Sequence, residues 1–289
     1  MSYKTSIAIG LFDGVHLGHK AVLETAVKIG IEQGFTPSAV TFMGDISPQK
    51  NVKLILSEKD RVNHIKQYGI KEVFRFDFNE IKNLKPIEFI LKLRDNYGAW
   101  HIVCGEDFRF GKDRAGDINT LALLCEKLGI GFTVTPELLI NGEKISSGKI
   151  RSLLENREIK AANELLGYDF YYKLKVIHGK EIGRKLGFPT INQFIPNEFI
   201  RIKNGVYLSK IEVDEKTYSG ITNYGNKPTV DYAGEPILET YIDAFDGEIY
   251  GKNVKVFPKK YLRPEMKFNN LDELKLQIEE DKKHIYEWN

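Results

Sequence analysis

The chain has 289 residues, with 42 lysine and arginine side chains against 40 aspartate and glutamate, a net charge of +2. That is the length of about two domains, and the balance leaves no basic stripe for nucleic acid or a membrane surface. Two cysteines, Cys104 and Cys125, lie in apolar surroundings without metal-ligand spacing, and no apolar segment reaches about 18 residues, so the expectation is a cytoplasmic monomer with reduced thiols.

Taken in order, the first half alternates apolar runs with helical spacing. Strands are predicted over 6–12, 38–42, 72–78, 100–104 and 131–135, and helices over 18–33, 57–68, 86–97 and 117–128. That alternation is the pattern of a parallel α/β sheet. Helix boundaries agree with it: Ser57 to Asp60 resembles a capping box, Pro86 suits a first turn, and Gly69, Gly98 and Gly129 stand where left-handed C-caps belong. Ligands of such sheets bind beyond the carboxyl ends of the strands. The stretch Gly10 to His19, GLFDGVHLGH, lies there, with glycines that let an anion approach the backbone and with His16 and His19 at the entrance of a helix.

Two more segments belong to that end. Cys104 to Asp117 follows a strand and is dense in charge, carrying Arg109, Lys112 and Arg114. Ile145 to Arg151 opens a helix with Ser146 and Ser147 in N-cap positions and a guanidinium one turn in. After a helix over 158–166 the spacing changes at Gly167 to that of short strands, 171–177, 205–213, 218–223, 238–245 and 253–257, which argues for an antiparallel barrel or sandwich. An amphipathic helix over 271–288 closes the chain. Within this half, Gly179 to Asn192 brings three glycines and several cations ahead of Pro189-Thr190. Thr190 and Asn192, two apart on an extended segment, point the same way and suit neutral oxygen ligation of Mg²⁺.

The string GxFDGVHxGH resembles that of the bacterial bifunctional riboflavin kinase/FMN adenylyltransferases, the FAD synthetases. Further motifs of that family recur in order: GEDFRFG at 105–111, ISSGKIR at 145–151, GRKLGFPTIN at 183–192, NYGNKPT at 223–229, Glu239 in ETYI and RPEMKF at 263–268. The resemblance implies a Rossmann-like nucleotidyltransferase sheet over residues 1–166 and a riboflavin kinase barrel over 167–289. In the first domain His16 and His19 would be catalytic. Gly10, Phe12, Gly14, Ser146, Ser147 and Arg151 would join them in holding ATP, and Asp107, Phe108 and Arg109 would hold FMN. In the second, Glu239 would be the catalytic base. Gly183, Lys185, Gly187, Pro189 and Thr190 would hold ATP, Asn223 and Arg263 the flavin, and Thr190 and Asn192 the metal.

The implied activity is phosphorylation of riboflavin to FMN by Mg-ATP, then adenylylation of FMN to FAD with loss of pyrophosphate, so riboflavin, FMN, FAD and ATP are the expected partners. One departure leaves room for an impaired, reversed or altered first domain, or for a flavin-sensing regulator: where the family follows its second strand with an Asp-Pro-His-Pro-like stretch, this chain has Thr41-Phe42-Met43-Gly44-Asp45-Ile46. Tyr241 likewise stands where the family places a histidine.

Overall fold

The computed structural model describes residues 3–44, 52–179, 183, 186–226 and 236–288. By backbone proximity the chain divides into two compact units, Met1–Lys149 and Ile150–Asn289. The change of period at Gly167 therefore falls inside the second unit, because two helices that precede it cluster with the barrel.

The first unit is a parallel five-stranded sheet. Its strands are β1 (Thr5–Ile9), β2 (Thr36–Met43), β3 (Glu72–Asp77), β4 (Ala99–Gly105) and β5 (Gly131–Thr135), in the order β3-β2-β1-β4-β5. Strand β1 is wholly buried, as a central parallel strand with neighbours on both sides should be. The connecting helices are α1 (Leu17–Gln33), α2 (Glu58–Gln67), a short α3 (Phe78–Ile81), α4 (Pro86–Tyr97) and α5 (Ile118–Leu128). Gly98 and Gly129 cap α4 and α5 in the left-handed conformation, whereas α2 is capped by Tyr68. A core of Ile7, Val40, Phe89, Leu93, Ile102 and Leu121, among others, binds helices to sheet. Both cysteines are part of it, and burial pushes the thiols of Cys104 and Cys125 up to about 12 and about 11.

Strand β1 ends three residues earlier than its apolar run, because Phe12 takes φ 54° and turns the chain. A hairpin absent from the sequence expectation, β6 (Leu139–Ile140) with β7 (Glu143–Lys144), precedes α6 (Ser147–Glu155). Helix α6 crosses the unit boundary, and α7 (Ile159–Leu166) follows it.

The second unit closes six antiparallel strands into a barrel in the order β10-β11-β12-β9-β8-β13. They are β8 (Tyr172–Ile177), β9 (Thr190–Phe194), β10 (Gly205–Val213), β11 (Lys216–Asn226), β12 (Pro236–Ile242) and β13 (Asn253–Arg263). Strand β13 runs six residues past its apolar pattern and through Pro258, which a ladder tolerates only at an irregularity. The register shifts there, between Leu208 and Ser209 of β10. Along β12, Leu238 and Thr240 are fully buried while Glu239 and Tyr241 are not, so the functional side chains face outward. The terminal helix α8 (Leu271–Trp288) lays Ile285 on Val206, Leu208 and Ile221 of the outer face.

Candidate active sites

In the first unit the turn after β1 is built around backbone that few side chains adopt. Phe12, Gly14 and Val15 all have positive φ, 54°, 76° and 36°. A Cβ on Gly10 would stand 2.9 Å from the Phe12 ring, and one on Gly14 would stand 3.0 Å from Ile55, so both glycines are demanded by close approach. Asp13 is completely buried, and its carboxylate accepts from Ile55 N–H at 3.0 Å. Its carbonyl accepts from the Ser147 hydroxyl at 2.9 Å, which brings the start of α6 to this turn. Ser146 caps α6, accepting from Lys149 N–H at 3.2 Å. Of the two serines expected as caps, then, Ser147 instead ties the turn, and Arg151 lies one turn into the helix.

His16 caps α1: its Nδ1 accepts from the His19 N–H at 3.3 Å, which puts the proton of a neutral ring on Nε2. The His16 and His19 rings stack with centroids 3.6 Å apart, and Phe12 meets His19 edge-on at 5.3 Å. Burial, His16 and Arg61, in that order, hold the His19 imidazole well below the ordinary histidine value. His19 Nδ1 is covered and has no hydrogen-bond partner. Two imidazoles, one helix N-terminus and an unanswered polar nitrogen make a place for an anion.

The segment after β4 is less converged. Phe108 stacks on Phe110 at 5.4 Å, Arg109 donates to the Phe108 carbonyl at 2.9 Å, and Asp107 pairs with Lys144 of β7 at 3.0 Å. Lys112 to Arg114 form a single 3-10 turn.

In the second unit the ladder itself lines up the expected residues. Asn192 of β9 faces Glu239 of β12, Glu239 faces Asn223 of β11, Asn223 faces Val206 of β10, and Val206 faces Arg263 of β13. Directly opposed residues share a face, so one row around the barrel carries Asn192, Glu239, Asn223 and Arg263. Thr190, two residues from Asn192, donates to Glu239 Oε1 at 3.2 Å. The Gly183 carbonyl accepts from Leu186 N–H at 3.1 Å and Phe188 N–H at 2.8 Å, a tight turn that delivers Pro189 and Thr190 to β9. Gly187 takes φ 86° within that turn, and Lys185 lies outside the described residues. Hydroxyl, amide and carboxylate oxygens are the hard donors that suit Mg²⁺. Among the described residues no cluster of three histidine, cysteine or acidic side chains offers a different metal site.

Arg263 is occupied in another way. Its Nε and Nη2 donate to the buried Asp281 carboxylate at 2.9 and 2.7 Å, and Nη1 donates to Pro264 O at 3.1 Å. The guanidinium expected at the flavin therefore anchors α8. Glu265 reaches back to Asn223 Nδ2 at 3.4 Å and Asn204 Nδ2 at 3.3 Å.

The FAD synthetase family model matches residues 1–149 and the riboflavin kinase model residues 166–289. The chain belongs to the bifunctional riboflavin kinase/FMN adenylyltransferase family. Like other members it is an enzyme of flavin-cofactor synthesis with two catalytic units. Proteins carrying that description in Bacillus subtilis and Listeria monocytogenes are 37% and 33% identical, covering 96% and 95% of this chain and 90% and 89% of their own lengths. A solved structure described as a macrolide-efflux protein from Streptococcus pneumoniae superposes with a TM-score of 0.87 at 27% identity, over 99% of this chain and 95% of that one. No helix among the described residues of this family member is long and apolar enough to cross a membrane.

Three residues of these sites were not singled out from the sequence. Asp13 read only as part of a turn dipeptide. Arg61 was not mentioned, although it shares a helical face with the buried Ile65 four positions on. Lys282 of α8 lies over the rings of Tyr241 and Phe188 at 4.8 and 5.3 Å, a contact between segments too distant in sequence for spacing to show.

Proposed function

We propose that the second unit phosphorylates riboflavin and the first adenylylates the FMN so formed. The observation that carries this reading is the Thr190–Glu239 contact within a row that also holds Asn192 and Asn223, in a unit separate from the stacked His16–His19 pair.

In the barrel, Glu239 accepts the proton of the flavin's terminal hydroxyl as that oxygen attacks the γ-phosphorus of ATP and the bond from that phosphorus to the bridging oxygen breaks, releasing ADP; Asn223 holds the flavin. Thr190 and Asn192 would hold Mg²⁺, which neutralises charge on the transferring phosphoryl group. Gly183, Gly187 and Pro189 seat the phosphates, and the sequence motif adds Lys185 to them.

In the first unit the FMN phosphate attacks the α-phosphorus of ATP, forming a new P–O–P bond while the bond to pyrophosphate breaks. His16 and His19 donate to the α-phosphate as its charge grows. Gly10, Phe12 and Gly14 shape the turn; Ser146 and Ser147 receive the outer phosphates, a role the sequence motif extends to Arg151; Asp107, Phe108 and Arg109 form the flavin side.

The test is a time course with riboflavin, ATP and magnesium, separating the three flavins. FMN should appear first and FAD follow. FMN accumulating without FAD, under oxidising and reducing conditions alike, would overturn the assignment of the first unit.

A further inference from the structure

Arg61 of α2 is only 3% exposed. Its Nη2 donates to the Phe42 carbonyl at 2.8 Å, yet Nε and Nη1 are covered and have no hydrogen-bond partner. A guanidinium stays charged, so two buried donors without acceptors are costly unless some anion answers them. Two acidic groups act on it electrostatically, Asp13 and Glu58. Both carboxylates have other bonds to make: Asp13 accepts from Ile55 N–H, and Glu58 accepts from Arg75 at 3.1 Å. Across from Arg61 is the second orphan, His19 Nδ1, close enough to feel the guanidinium's charge.

Three covered, unanswered nitrogens, Arg61 Nε and Nη1 and His19 Nδ1, thus lie where the turn after β1 meets the end of β2. We propose that Arg61 binds the polyphosphate of the first unit's substrate, its Nε and Nη1 donating to oxygens of the pyrophosphate group that leaves ATP. Its bond to Phe42 seats it at the end of β2, the strand after which the sequence lacks the family's histidine. Arg61 supplies the positive charge that this imidazole would have given. Charge-assisted bonds of this kind, made away from water, are the strong ones. The inference rests on the first unit being an adenylyltransferase.

The experiment runs that reaction backwards, with the full chain, FAD and inorganic pyrophosphate, and follows ATP formation. Arg61→Met should raise the KM for pyrophosphate about tenfold or more, and Arg61→Lys should raise it less, because one ammonium cannot serve both Phe42 and the phosphate. Trp100 emission in a Trp288→Phe background reports that the first unit is folded. If Arg61→Met is insoluble, Arg61→Lys decides alone. A wild-type KM in the variants, or a loss of kcat and thermal stability with KM unchanged, makes Arg61 structural and overturns the proposal. A wild type that neither makes nor consumes FAD removes the underlying reading, a result distinct from unaffected variants.

Discussion

Thr190 donates its hydroxyl hydrogen to the Glu239 carboxylate across 3.2 Å, between the adjacent strands β9 and β12. In the reaction proposed above, that carboxylate would take the proton beside the residues that would hold the metal. Glu239→Gln keeps the shape and can still accept from Thr190, but it cannot take a proton. FMN formation should fall by about 10² to 10⁴ while adenylylation of supplied FMN is unchanged. Near-normal FMN production in this variant would remove Glu239 from the mechanism.

The stacked histidines predict a dependence on pH. Folding lowers the proton affinity of His19, so below about pH 6.5 the unfolded chain takes up a proton that the folded chain refuses. The stability associated with neutral His19 is complete above that pH and is lost as pH falls towards the depressed folded value. Urea unfolding of the first unit at pH 7.5 and 5.5 should show a larger loss for wild type than for His19→Gln. Equal losses would mean that His19 titrates normally.

Arg263 and Asp281 give a third expectation. The pair is largely withdrawn from water, with side chains 17% and 5% exposed. Arg263→Met strands a buried carboxylate, a change that costs about 3–5 kcal/mol. The barrel should unfold at lower urea while the first unit keeps its midpoint, followed by Trp288 emission in a Trp100→Phe background. FMN formation at low temperature should survive if the ion pair's role is to anchor the helix, and its loss would favour the flavin contact expected from the sequence.

The unit boundary can be tested by truncation. Ile159 and Ala162 of α7 are fully buried, and Arg157, between α6 and α7, lies 4.0 Å over the Tyr261 ring of β13. A fragment of residues 150–289 should fold and make FMN. One of residues 167–289 exposes β13 where Arg157 and α7 covered it, and should melt lower and aggregate. Equal melting temperatures would return the boundary to the change of period at Gly167.

Much of this arrangement was legible in the residues. Local signals carried the parallel sheet, since its longer helices announce themselves through caps, such as Ser57 accepting from Asp60 N–H at 3.1 Å, and through the spacing of their apolar faces, whereas the four-residue α3 was missed. Of the barrel strands, β9 was read only as an extended segment, β10 was read at its full length, and β13 was cut short, because Pro258 breaks the apolar pattern and gives no hint that a register shift in its neighbour will absorb it. Asn192, Glu239, Asn223 and Arg263 could each be named from motifs. Their alignment in one row depends on pairings between residues as far apart as Val206 and Arg263, which no periodicity reports. Arg61 escaped notice for a related reason: burial of a charged side chain is decided by what packs over it.

Strand order also sets a schedule for synthesis. Strands β8 and β9 leave the ribosome first among the barrel strands, yet β8 pairs with β13 and β9 with β12, the last to be made. Each pairing of the first unit's sheet, by contrast, is complete by Thr135. The nucleotidyl-transferring half can therefore be folded while the kinase half is still an open ribbon with two unpaired edges. A stalled or truncated translation product would carry one finished enzyme and one sticky sheet, and the final strand converts the second from a hazard into a closed cylinder.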